Sequence, residues 1–131
     1  MFSSIRDIID QIVIFNDGDG ERPSGRPSDL TLDNSDKFLN TIPGYYKKIL
    51  EVEEIQFTPH GTVTIDWYSR RNFVSVEIGQ TQIGFFSELP DGTNPSATLQ
   101  FDGKAPEMVV IALNKLYGRS DSTGIPAPLT R

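Results

Sequence analysis

Apolar and polar residues alternate along most of the chain between Val52 and Phe101. Each alternating run ends at a short polar segment that carries turn-forming residues such as Gly61, Asn72 or Gly92. A period of two is typical of β-strands that bury one face and expose the other. The pattern predicts an antiparallel meander of five strands, with one apolar face and one mixed polar face.

The turns of this meander predict its pairing register. Thr58-Pro59-His60-Gly61-Thr62 suits a three-residue turn with Gly61 in the left-handed conformation. Counting outward from the first three turns pairs apolar residues with apolar residues: Phe57–Val63, Ile55–Ile65, Trp67–Val74, Ile65–Val76, Val63–Ile78, Ile78–Ile83 and Val76–Phe85. A slip of one residue would turn these side chains to the other face, so the turns and the alternation indicate the same register. Ala97, Leu99 and Phe101 alternate inward on the fifth strand.

Helical spacing of apolar residues appears on both sides of the meander. Residues 1–14 carry such a stripe and are expected to pack on the core; their polar side has one Arg and two Asp, which does not favour an anionic membrane surface. A short helix capped by Asn34 or Ser35 ends near Pro43, and a second short helix follows it. The last helix opens at Pro106 and ends at Gly118.

The order of helices and strands indicates an α+β fold, with the N-terminal helices and the C-terminal helix packed on the apolar face of the sheet. We expect one domain over residues 1–118. Residues 15–33 are rich in Gly, Pro, Ser and Asp and are predicted to form a flexible loop, and residues 119–131 a mobile C-terminal tail.

Composition narrows the function classes. The chain has 131 residues, no cysteine and a net charge of −6, without a long basic run. Disulfides and thiolate chemistry are therefore excluded, and nucleic-acid binding is not expected. No apolar run approaches the roughly 20 residues that span a bilayer, so no membrane partner is predicted and a cytoplasmic location is expected.

The same register predicts the side chains of the mixed face. Glu54 is expected opposite Asp66, and Thr64 opposite Glu77. On the same face, Tyr68 is expected opposite Phe73, and Ser75 opposite Phe86. The candidate binding residues are Glu54, Asp66, Tyr68, Phe73, Glu77 and Phe86.

Two functions fit these residues, and for each there is also a purely structural explanation. Three nearby carboxylates could bind a hard cation or form a general acid and base pair, or could simply form a solvated acidic face. The aromatic residues could form a protein-binding patch, or could be covered by the N-terminal helices.

Other motifs do not complete a site. The acidic run that begins at Asp17 has Arg22 and Ser28 where an EF-hand loop requires Gly and Glu. His60 is the only histidine and stands in a predicted turn. No catalytic residues, cofactor or metal site are predicted, which favours a non-enzymatic protein.

One hairpin resembles a known pattern. Gly61-Thr62-Val63-Thr64-Ile65-Asp66-Trp67, followed by Phe73-Val74-Ser75-Val76-Glu77-Ile78-Gly79, is similar to a hairpin in small uncharacterised bacterial proteins. The resemblance implies a bacterial origin and brings no activity or cofactor with it.

The leading hypothesis is a binding or regulatory module that uses the mixed face to meet a protein partner or a second copy of itself. The alternative is a small enzyme or a ligand- or metal-binding protein with its site at Glu54, Asp66 and Glu77. A third hypothesis places the function in loop 15–33 or in the tail.

Overall fold

The computed structural model describes Ile5 and residues 27–119, and it confirms the α+β fold. Two helices precede the sheet and one follows it. Their bounds are α1 Asp29–Thr41, α2 Gly44–Lys48, a 3-10 turn Val52–Glu54, β1 Ile55–Phe57, β2 Val63–Ser69, β3 Asn72–Ile78, β4 Gln82–Glu88, β5 Ser96–Gln100 and α3 Glu107–Tyr117. The strands are antiparallel and lie in the order β1-β2-β3-β4-β5, which is the predicted meander.

The predicted register is confirmed. Ile65 pairs with Ile55 on one side and with Val76 on the other, and Val76 pairs in turn with Phe85. Gly61 has a φ of 79°, the left-handed conformation that its turn requires. Every inward side chain from Val63 to Trp67 on β2 is buried, so the apolar alternation and the turn chemistry specify the same sheet.

The core lies between the sheet and the helices on its inner face. Both α1 and α3 contact β2 and β3. The indole N–H of Trp67 donates to the backbone oxygen of Tyr46 (2.9 Å), and the hydroxyl of Tyr46 donates to Asn114 Oδ1 (2.5 Å). Burial of the phenol raises the pKa of Tyr46 to about 12. These two hydrogen bonds connect β2, α2 and α3 through the core.

The predicted start of the first described helix is wrong. Helix α1 begins at Asp29, so residues 29–33 are helical rather than part of the loop, and the N-cap is Ser28 instead of Asn34 or Ser35. The Ser28 Oγ accepts a hydrogen bond from the backbone N–H of Thr31 (3.2 Å). The error arose because buried polar residues interrupt the apolar stripe of the helix.

Those buried polar residues are hydrogen-bonded. Ser35 Oγ donates to the backbone oxygen of Thr31 (2.8 Å). Asn34 Nδ2 donates to the backbone oxygens of Gly79 (3.0 Å) and Gln80 (2.9 Å), in the turn between β3 and β4. Asn34 therefore holds helix α1 against this turn.

The ends of the remaining helices follow the predictions closely. Pro43 and Pro106 are the N-caps of α2 and α3, and Gly118 ends α3 with a φ of 67°. Ile5 is buried, and its N–H donates to Asp36 Oδ1 (2.5 Å). The rest of the predicted helix over residues 1–14, loop residues 15–26 and tail residues 120–131 lie outside the described residues.

Candidate binding face of the sheet

Three aromatic rings lie in a row across the outward face, on neighbouring strands. Tyr68 pairs with Phe73 in the ladder, and their ring centroids are 6.4 Å apart. Phe86 lies opposite Ser75, and its ring meets that of Phe73 edge-on, with 5.4 Å between centroids. The predicted placement of all three rings on one face is therefore confirmed, and neighbouring rings contact each other along an aromatic row.

The row is accessible. Tyr68 and Phe86 are each 56% exposed, although both are large apolar side chains on the strands that form the middle of the sheet. Helices α1 and α3 contact β2 and β3. A hydrogen bond between α3 and Tyr68 runs from the Tyr117 hydroxyl to the Tyr68 backbone oxygen (2.9 Å) and leaves the Tyr68 ring itself exposed. Contiguous exposed aromatic surface of this kind is typical of a contact site.

Two of the three predicted carboxylates stand on this face. Asp66 accepts hydrogen bonds from Ser75 Oγ (2.6 Å) and from the Tyr68 hydroxyl (3.3 Å). Glu77 accepts one from Thr62 Oγ1 (2.6 Å). The pKa of Tyr68 is raised, first by burial and then by the nearby Asp66 carboxylate. Both carboxylates are thus held in position by neighbouring hydroxyl groups.

Glu54 was predicted to lie opposite Asp66, but it stands one residue before the ladder begins. Glu54 ends the 3-10 turn before β1, and the first ladder pair is Ile55 with Ile65. Its carboxylate accepts the backbone N–H of Glu51 (3.0 Å), which closes a capping box. The same carboxylate is close enough to Tyr68 and Tyr117 to contribute, after burial, to the raised pKa of both phenols. Within Ile5 and residues 27–119, no group of three or more Asp, Glu or His could hold a metal ion.

A groove lies beside the aromatic row. It holds about 320 Å³ and continues into a second depression of about 300 Å³. Glu77, Gly84 and Thr98 line both, and Phe86 forms a wall of the first. We call this the Gly84 groove, because Gly84 stands in the middle of β4 at a position that faces outward and carries no side chain.

The backbone does not require glycine at this position. The ladder is unbroken on both sides, with Gly84 opposite Glu77 on β3 and Thr98 on β5, and the residue has no positive φ. A Cβ built there would lie 3.5 Å from Thr98 Oγ1 and 3.7 Å from the Ala97 oxygen, which are ordinary contacts. A glycine inside a strand weakens it, and without a bulge it often marks a site where another backbone or a ligand approaches closely.

Sequence reasoning placed the aromatic row but missed the groove. Gly84 stands between Ile83 and Phe85 on a strand whose register was predicted, so its outward position was readable. Glu88 was missed as well, although it pairs with Phe73 and adds a third carboxylate beside the rings. The signal in both cases is the pairing register, which assigns Gly84 and Glu88 to the outward face.

Comparisons with known protein families, with curated proteins and with solved structures find no match. The hairpin resemblance to small bacterial proteins therefore stays a prediction. Among the described helices, none is long and apolar enough to cross a bilayer.

Proposed function

We propose that this protein is a non-enzymatic binding module, cytoplasmic and bacterial, that holds a protein partner on the outward face of its sheet. The observation that carries the proposal is the row of Tyr68, Phe73 and Phe86, with its two outer rings exposed, beside the Gly84 groove. Rigid aromatic side chains supply large contact area at low entropic cost, which is why they dominate binding sites.

The area available is sufficient for a measurable effect. A large aromatic side chain can bury roughly 150–250 Å², and about half of Tyr68 and of Phe86 is still exposed. At about 25 cal/mol per Å², covering each ring contributes at most about 2–3 kcal/mol to binding. Removal of either ring is therefore expected to weaken partner binding by roughly tenfold or more.

The fold does not depend on these two rings. The contact of Tyr68 with α3 is made by its backbone oxygen, which accepts the Tyr117 hydroxyl (2.9 Å) and survives substitution of the side chain. The double substitution Tyr68→Ser and Phe86→Ser should consequently keep the fold and a cooperative thermal transition. Its melting temperature should be lower, because the buried half of each ring and the contacts with Phe73 are lost. Ile111→Ser is the matched control, because Ile111 is 46% exposed on α3, which packs on the other face.

Site-specific photo-crosslinking tests the proposal in the cells that produce the protein. With p-benzoylphenylalanine in place of Phe86 in the full chain, we expect an adduct of one discrete mass, and with the same group in place of Ile111 we expect none. Addition of Tyr68→Ser or Gly84→Val to the first variant should remove the adduct. An adduct of twice the mass of the chain would identify a second copy as the partner.

The proposal fails if positions 86 and 111 give the same crosslinking pattern and the double serine variant has the same mass in solution as the natural chain. Retained folding must be shown for each variant, and a thermal melt is sufficient.

A further inference from the structure

The charged residues at the outward ladder positions of the sheet all have one sign, whereas Arg70 and Arg71 lie in the turn between β2 and β3, outside the ladder. The outward ladder positions hold three carboxylates, those of Asp66, Glu77 and Glu88, and no Lys, Arg or His. The remaining outward positions are neutral: Gln56, Thr64, Tyr68, Phe73, Ser75, Gln82, Gly84, Phe86, Ser96, Thr98 and Gln100. A partner that covers this face must either bring positive charge or desolvate three carboxylates without compensation, which is costly.

The carboxylates adjoin the aromatic row. Asp66 is two residues from Tyr68 on β2, and Glu88 is two residues from Phe86 on β4 and directly opposite Phe73. A flat cation that rests on one of these rings therefore has a carboxylate within reach. Guanidinium fits this combination better than ammonium, because it is planar, stacks on aromatic rings and pairs with carboxylates through two hydrogen bonds.

The spacing of two carboxylates adds a geometric condition. Asp66 lies opposite Ser75. Glu77 carries the next outward-facing side chain after Ser75 on β3, so the two acids are diagonal neighbours. Such neighbours are about 7–8 Å apart, close to the roughly 6.6 Å between alternate side chains of an extended peptide. Arginines at alternate positions of one segment could therefore reach both.

Resting on the proposed function above, we propose that the partner presents an extended segment with arginines at alternate positions, and that its backbone runs over Gly84. The groove gives the backbone room because Gly84 has no side chain, and Thr64, Ser96 and Thr98 provide hydroxyl groups along it. The arginine side chains then lie on the aromatic row and pair with Asp66 and with Glu77 or Glu88. Hydrogen bonds from Ser75 and Thr62 already orient Asp66 and Glu77, which lowers the entropic cost of forming these pairs.

The test uses three fluorescent peptide libraries with the full chain. Each is a 12-residue library with two fixed positions separated by one residue, filled by arginine, by citrulline or by glutamate, and random elsewhere. Citrulline is the matched control because it keeps the shape of arginine and removes the charge. Fluorescence anisotropy measures affinity, and we expect the arginine library to bind at least about tenfold more tightly than the citrulline library, with affinity falling as salt rises.

Two variants locate the binding. Combining Asp66→Asn with Glu77→Gln should weaken arginine-library binding by about three- to tenfold, because two ion pairs at a partly exposed surface are lost. Glu107→Gln is the matched control: Glu107 is exposed in the first turn of α3, on the other side of the sheet, and its loss should leave affinity unchanged.

The outcomes separate this inference from the proposed function. Equal binding of the arginine and citrulline libraries, or loss of binding in Glu107→Gln alone, overturns the arginine proposal. If no library binds while crosslinking from position 86 still gives its adduct, the partner has another chemistry and the binding face stands. If neither experiment gives a signal, both proposals fall.

Discussion

Substitution of Gly84 by a residue with a side chain should raise the free energy of unfolding and weaken partner binding. In Gly84→Ala the new Cβ meets Thr98 Oγ1 at 3.5 Å and the Ala97 oxygen at 3.7 Å, so it adds ordinary contacts without a clash. The unfolded chain loses the conformational freedom of glycine, which stabilises the folded state by about 0.5–1 kcal/mol. For a chain of this size the melting temperature should rise by roughly 2–5 °C.

Urea unfolding followed by the fluorescence of Trp67, the only tryptophan, measures the change in the free energy of unfolding. Gly61→Ala is the control with the opposite sign. Gly61 has a φ of 79° and open space around it, so alanine there suffers only the left-handed backbone penalty of about 1–2 kcal/mol. In parallel, Gly84→Val should block the groove and abolish the adduct from position 86.

Destabilisation of Gly84→Ala by about 1 kcal/mol or more would refute the reasoning, because glycine would then be required by the fold. A stabilised Gly84→Val that still crosslinks like the natural chain would refute the functional half alone.

Two further predictions concern the polar contacts inside the fold. Tyr46→Phe should lower the free energy of unfolding by about 1–3 kcal/mol, because buried Asn114 loses its donor, and the addition of Asn114→Leu should recover most of the loss. Tyr46 has a pKa of about 12 in the folded state and of about 10.0 in the unfolded state, so its contribution to the free energy of unfolding is complete below pH 10 and is lost as pH rises toward 12. Urea melts that show a constant difference between the natural chain and Tyr46→Phe across that range would contradict this pH dependence. Asn34→Ala should lower the free energy of unfolding by about 1–2 kcal/mol and speed amide hydrogen exchange in the turn after β3. Lys37→Ala, at an exposed position of the same helix, should do neither. Equal protection of that turn in both variants would show that Asn34 does not stabilise it.

The sheet could be predicted from the sequence because two independent signals agreed. Side-chain alternation indicates which residues share a face, and turn residues such as Gly61 indicate where each strand reverses. Since a slip of one residue would bury the polar set, only one register satisfies both. The pairing of Tyr68 with Phe73, and with it the aromatic row, followed directly.

The start of α1 could not be predicted because its inner side is partly polar. Thr31, Asn34 and Ser35 are buried there, and each is tolerated because it has a hydrogen-bond partner. Thr31 Oγ1 accepts from Ser28 Oγ, whereas Asn34 and Ser35 donate to backbone oxygens. The partner of Asn34 lies far along the chain, in the turn at Gly79, and periodicity does not reveal it. The capping bond from the Glu51 backbone to Glu54, which places Glu54 in a 3-10 turn before β1, was likewise not indicated by the alternation.

The buried hydrogen bonds lie on the inner side of the sheet, and this determines which positions of the chain tolerate substitution. Trp67, Tyr46 and Asn114 connect strand and helices on the inner side, and no buried side-chain polar atom in residues 27–119 lacks a partner. Outward residues such as Phe86 can consequently be replaced without breaking that network. The sheet can therefore serve as a scaffold for combinatorial libraries in which randomised outward positions select new binding specificities while the inner face maintains the fold.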